Sequence, residues 1–186
     1  MNNSLLAGRY AKALLLQAEN EGVAEVLYGL LKPIVGGVLA LPEVERVLAS
    51  PTHTREQKKA VLMSLSDKEW PALWARFVDL VLAGEREAFM AQIARRYLAL
   101  YRQRYNIVVV TLTTVGPADG ALVERIERLV ADYYGGGKVV ELRQMVDEAI
   151  EGGFVLSVGD RRLDASLRGQ IEIIRTQLLK RNKTLV

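Results

Sequence analysis

The sequence predicts a mainly α protein: an N-terminal six-helix bundle over residues 1–105, followed by a small α+β C-terminal domain with a β-hairpin over residues 106–186. Three observations predict it. Up to Tyr105, apolar residues recur at the three- and four-residue intervals of a helix face. After Asn106 the period changes, and "IVVVTLTTV" (Ile107 to Val115) is a short β-branched run of strand type. Two further short β-type runs flank Gly159-Asp160, a dipeptide suited to a hairpin turn.

The first helix is read from Ala7, Tyr10, Ala11, Leu14 and Ala18, and Gly22 breaks the chain after it. A second apolar segment runs to about Leu41. Pro42 suits the first turn of a third helix, which ends near Ser50-Pro51. Thr52 or Thr54 can cap the fourth, and Gln57, three residues after Thr54, completes a capping-box pattern. That helix is expected to reach about Leu65. Ser66 is expected to cap a fifth from about Lys68 to Ala83, ended by Gly84, and Glu85 to Tyr105 reads as one long sixth helix. Short turns between helices are the signature of a bundle. Beyond the first strand, "GPADG" is a turn in which Pro117 can start a helix striped by Leu122, Ile126, Leu129 and Val130. The glycines 135–137 end it, and a strand follows from Lys138 to about Val146. The hairpin is read as Phe154 to Val158 and Arg161 to Leu163. Asp164 or Ser166 then caps a last helix carrying Leu167, Ile171, Ile174 and Leu178 on one side.

Composition narrows the function. Half of the residues are hydrophobic, enough for a real core, and 25% are charged, as in ordinary soluble domains. The chain lacks cysteine, which excludes disulfides and thiolate chemistry, and its one histidine, His53, makes a zinc site improbable. Leu27 to Leu41, the longest apolar stretch, is broken by Lys32, Pro33 and Gly36-Gly37 and falls short of a membrane span. The N-terminus is a poor signal peptide. A cytoplasmic protein without direct membrane insertion is expected. Residues 1–105 carry 14 Lys+Arg against 11 Asp+Glu, and residues 106–186 carry 11 of each, so neither half has the dense positive field of a nucleic-acid binder.

Groups that could do chemistry read more simply as structure. Gly135 to Gly137 and Gly152-Gly153 precede strands, whereas a phosphate cradle needs glycines leading into a helix N-terminus. Asp147, Glu148, Glu151, Asp160 and Asp164 could act as acids and bases or hold Mg²⁺, but no partner group supports them, and turn and capping roles fit better. His53 fits a helix start. No catalytic residue, metal site or cofactor is expected. In "ARRYLALYRQRY" the tyrosines Tyr97, Tyr101 and Tyr105 share a stripe with Ile93, so a core face with solvated arginines is the simpler reading. The alternative is a basic helical nucleic-acid-binding protein using Arg95, Arg96, Arg102 and Arg104. A nucleotide-dependent enzyme using residues 151–166 is a third reading.

One feature asks for a partner. In the fifth helix Leu73, Trp74, Phe77, Val78, Leu80, Val81 and Leu82 sweep roughly 200°, twice the stripe of an ordinary surface helix. In the first, Tyr10, Leu14 and Ala18 form one face while Leu5 and Leu16 lie across from it. Either these helices sit deep in the bundle, or they leave a groove for another helix.

"GRYAKALL" resembles the opening motif of the delta subunit of F-type ATP synthases, the family of the mitochondrial oligomycin-sensitivity-conferral protein. "VDEAIEGGFVLSVGDRRLDASLRGQI" resembles that family's C-terminal signature, and "LASPTHTREQKKAVL" and "FVDLVLAGEREAFM" are similar to its middle helices. The chain has Glu148 where the family often has proline, and Asp164-Ala165-Ser166 where Asp-Gly-Ser is common. The resemblance implies a non-catalytic stator protein that ties rotation to ATP synthesis and ion transport. It further implies that residues 1–105 bind the N-terminal helix of an alpha subunit between the first and fifth helices. Residues 106–186 would bind the C-terminal end of the b subunit in the peripheral stalk. Joined to the helix faces above, it implies a groove lined by Tyr10, Ala13, Leu14, Gln17, Val78, Val81 and Leu82. The site implied is peripheral, on the cytoplasmic side of the energy-transducing membrane, with no nucleic acid bound.

Overall fold

The computed structural model describes residues 3–135, 137–159 and 161–172. It is mostly helical with one four-stranded mixed sheet, and it divides into two compact units between Arg104 and Tyr105. The expected stripe positions Ile174 and Leu178, and Asp160 of the turn, lie outside the described residues. Among the described residues no helix is long and apolar enough to cross a membrane.

The first unit contains α1 (Asn3–Asn20), α2 (Ala24–Gly36), α3 (Pro42–Ala49), α4 (Arg55–Met63), α5 (Ala72–Ala83) and α6 (Met90–Arg104). Its core is built on Leu14, Leu27, Leu31, Leu62, Trp74, Val78, Val81, Ile93 and Tyr97, all almost inaccessible to solvent. Helix α1 packs chiefly on α6 and buries Ala7, Ala11 and Ala18, whose small side chains let two helix axes approach closely. Helix α6 also holds α2: Tyr28 and Tyr101 stack at 4.2 Å, and the Tyr97 hydroxyl donates to the Ala24 carbonyl at 3.0 Å. Tyr97 and Tyr101 are core residues, while Tyr105 lies beyond the end of α6 and is exposed.

Local chemistry explains the helix ends, including those that differ from expectation. Thr54 and Gln57 form the reciprocal capping box that the sequence pattern predicts for α4. Helix α5 starts at Ala72, four residues later than expected. Pro71 cannot donate a backbone hydrogen bond and disfavours helical backbone at Trp70, so the turn at Ser66 cannot continue into it. Instead Lys68 N donates to Ser66 Oγ, and Trp70 Nε1 donates to the Met63 carbonyl, pinning the connection. The long sixth helix is likewise shortened. Glu85 adopts left-handed backbone (φ 54°), and a 3-10 turn at Glu87–Phe89 precedes α6.

The second unit contains β1 (Ile107–Thr114), α7 (Gly120–Tyr133), β2 (Val139–Val146), β3 (Gly153–Val158) and β4 (Arg161–Ser166), with residues 167–172 helical. Helix α7 starts at Gly120 and not at Pro117, and Asp119 caps it, accepting from Ala121 N. The strand order is β2-β1-β3-β4: β1 and β2 are parallel, joined through α7, and the other two pairings are antiparallel. Val110 and Leu112 of β1 meet Ile126 and Val130 of α7 in the core. Gly153 has φ +72° and a Cβ there would run into the Ala165 carbonyl, so the entry to β3 requires glycine.

Candidate docking surfaces

Asp147, Asp164 and His53 are engaged in local structure. Asp147 Oδ1 accepts from Ala149 N at 2.9 Å, holding a 3-10 turn at Glu148–Ile150. Asp164 Oδ1 accepts from Ser166 N and from the Ser166 hydroxyl. Ser166 Oγ in turn accepts from Gly169 N at 3.0 Å, which starts the last helix. Those hydrogen bonds from Ser166 hold the Asp164 carboxyl below the ordinary aspartate range. His53 Nδ1 lies 3.4 Å from the Thr52 hydroxyl in the turn before α4. Among the described residues no group of three His, Cys, Asp or Glu could hold a metal ion. Gly152 and Gly153 lead into β3 and not into a helix, so their amides form no anion site at a helix N-terminus. The nucleic-acid alternative draws no support: Arg102 donates to the Tyr28 hydroxyl at 2.9 Å and lies over its ring, and Arg104 pairs with Glu19 at 3.0 Å. Arg95 and Arg96 stay exposed.

Helices α1 and α5 meet along a seam. The Tyr10 ring packs edge-on against Phe77 at 6.4 Å, and its hydroxyl stands 3.3 Å from where a Cβ on Gly84 would be. At the other end Arg76 pairs with Glu21 at 2.5 Å, and Gln17 Nε2 donates to the same Glu21 oxygen at 2.8 Å. Tyr10 beside Gly84 and Glu21 beside Arg76 make the two helices antiparallel. Gly84 serves the close approach of Tyr10 and not a left-handed turn, since its φ is −86°. The left-handed residue is Glu85, where Glu85 N donates to the Leu82 carbonyl and Arg86 N to the Val81 carbonyl in a Schellman close.

The seven expected groove residues divide by burial. Leu14 (2% exposed), Val78 (0%), Val81 (0%) and Leu82 (3%) are in the core and present no side-chain surface. Tyr10 is half-buried, and Ala13 and Gln17 are exposed beside it on α1. The apolar surplus of α5 is therefore absorbed mostly inside the unit. Leu80, which the expected groove does not include, is 57% exposed, one turn from Arg76 and Gly84 on the outer face of α5. Its signal was present in the sequence, since it extends the apolar arc of α5 toward Arg76 and away from Val78. Leu5 and Leu16 are also exposed, on the outer face of α1.

The first unit is thus a set of packed helices in which α1 meets α5, and the second an α/β unit whose Asp147 and Asp164 are used in turns. Comparison with known proteins identifies the family. Residues 6–178 match the family model described as ATP synthase delta (OSCP) subunit. An ATP synthase subunit delta of Phocaeicola vulgatus is 33% identical over 98% of each chain. One of Synechocystis sp. is 32% identical over 91% of each chain. A chain in the cryo-EM structure of the Toxoplasma gondii mitochondrial ATP synthase hexamer has the same fold, with a TM-score of 0.65 at 24% identity over 94% of this chain and 97% of that one. The chain belongs to the ATP synthase delta (OSCP) subunit family and is a non-catalytic stator subunit of the F-type ATP synthase.

Proposed function

We propose that the six helices of the first unit act as one bundle that seats the N-terminal helix of an alpha subunit along the α1/α5 seam. The second unit, with its β3–β4 hairpin, holds the C-terminal end of the b subunit of the peripheral stalk. The chain then ties the catalytic head to the stalk on the cytoplasmic side of the energy-transducing membrane, as a peripheral component.

The observation that supports the first half is that Ala13, Gln17 and Leu80 are exposed and Tyr10 half-buried on the two helices whose Leu14, Val78, Val81 and Leu82 are packed in the core. Apolar contact from Leu80 and Ala13, with polar groups at Tyr10 and at Gln17–Glu21–Arg76, suits a helix with one apolar stripe. The test is titration of the full chain with a synthetic peptide of the N-terminal helix of the alpha subunit. Leu80→Asp and Ala13→Asp change exposed positions, and each is expected to weaken binding at least about tenfold without lowering the melting temperature. Unchanged affinity in both variants places the alpha subunit elsewhere.

A further inference from the structure

The last turn of α5 carries Leu80, and residues that follow it set its geometry. Gly84 N donates to the Leu80 carbonyl, Glu85 N to that of Leu82 and Arg86 N to that of Val81. Three amides of the connection to α6 thus close the helix. The close requires left-handed backbone at Glu85 (φ 54°), which a residue with a Cβ keeps only where its surroundings hold it. It also touches α1: a Cβ on Gly84 would stand 3.3 Å from the Tyr10 hydroxyl and 3.5 Å from Cγ of Arg86. Leu80, Gly84 and Tyr10 therefore keep their relative places only while Glu85 and Arg86 keep their shape.

Lys58 of α4 reaches that stretch. Glu87 follows Arg86 directly and opens the 3-10 turn Glu87–Phe89, in which Phe89 N donates to the Arg86 carbonyl at 3.0 Å. The Glu87 carboxylate meets Lys58 Nζ at 2.6 Å, and among the described residues its other oxygen has no hydrogen-bond partner. The neighbouring Lys59 pairs with Asp79 at 2.6 Å, but those side chains are 38% and 55% exposed, against 7% and 13% for the inner pair. Water competes for the outer pair, and such pairs hold little. The inner pair is shielded, yet its net stability is small as well, because apolar residues of similar volume usually replace a buried pair without loss. What they do not reproduce is one fixed contact between α4 and the turn.

We propose that Lys58 and Glu87 are positioning residues for docking at the α1/α5 seam. Their buried contact holds the close at Glu85–Arg86, and the close sets Leu80 and Tyr10 at the spacing that the incoming helix requires. The proposal rests on the reading of the seam as the seat of the N-terminal helix of the alpha subunit.

The experiment titrates the full chain carrying both Lys58→Met and Glu87→Leu with the synthetic peptide of that helix, and follows melting and amide exchange alongside. The expected result is a melting temperature near the wild-type value, faster exchange at the Glu85 and Arg86 amides, and affinity lowered about tenfold. Lys58→Glu with Glu87→Lys restores the contact with its charges exchanged and should bring most of the affinity back. Lys59→Ala removes only the exposed pair and should leave affinity unchanged. Wild-type affinity in the apolar double variant overturns the positioning role and leaves the seam reading standing. No binding of the peptide by the wild-type chain overturns both. Should the apolar variant melt early, the charge-exchanged one decides, and weak binding there at a wild-type melting temperature overturns the proposal. A loss in Lys59→Ala as large as in the apolar variant would show that any tie between α4 and α5 suffices, and overturns it too.

Discussion

Lys58 and Glu87 form an ion pair of 2.6 Å between α4 and the 3-10 turn ahead of α6, with side chains only 7% and 13% exposed. Two charges removed from water are tolerated only while each compensates the other, and here, among the described residues, the second carboxylate oxygen of Glu87 has no hydrogen-bond partner. Lys58→Ala is therefore expected to cost about 3–5 kcal/mol in urea unfolding, because it strands the carboxylate. Pairing Lys58→Met with Glu87→Leu should recover most of that loss. A cost below about 1 kcal/mol for the single change would mean that water reaches Glu87. None of this is legible in "REQKKAVLM", where Lys58 and Lys59 look alike. Lys59 pairs with Asp79 at the surface, and the buried partner of Lys58 lies 29 residues away. The same limit governs the groove residues. The sequence shows that Val78, Val81 and Leu82 are apolar, but their inward direction is set by how α5 meets its neighbours.

Elements were legible where short-range chemistry decides them. The capping box of α4, Pro42 opening α3, and the Gly159 hairpin all depend on residues within four positions of each other. The misread ends of α5 and α6 share one cause: helical periodicity continues through Lys68 and Glu85, while the backbone does not. Pro71 stops the first, and Glu85 takes a conformation that sequence assigns by habit to the neighbouring Gly84. The parallel pairing of β1 with β2 is a tertiary fact that strand propensity cannot supply. Glycine position gives a prediction at this scale. Gly159 has φ +57° in open space, so Gly159→Ala should cost about 1–2 kcal/mol, the penalty of left-handed backbone alone. Gly153→Ala meets the same backbone penalty and also the Ala165 carbonyl. It should cost clearly more, with β3–β4 amide protection lost by hydrogen exchange while α1 to α6 keep theirs. Equal costs at the two glycines would show that β4 can move away from Gly153 freely.

For the whole molecule, the reading proposed above gives each unit one docking surface. A stator carries the same torque through both contacts, so the contacts act in series. Binding and coupling should then respond differently to mutation. Leu80→Asp changes an exposed position of the first unit, on the proposed alpha side, and Leu163→Asp an exposed position of the second, on the proposed stalk side. On that reading each should weaken only its own partner, and the two losses in affinity should add, as for sites without shared partners. Ion pumping driven by ATP hydrolysis should behave otherwise. Once one contact in a series slips, the torque is already lost, so either variant alone should uncouple hydrolysis from pumping. The double variant should pump no worse than the weaker single one, while the head goes on hydrolysing ATP. Membrane vesicles carrying each variant, assayed for ATP hydrolysis and for ion pumping side by side, give the comparison. If the double variant pumps much less than either single one, the two contacts share the load in parallel. The head must then be held by a second route that does not pass through this chain's two units in turn.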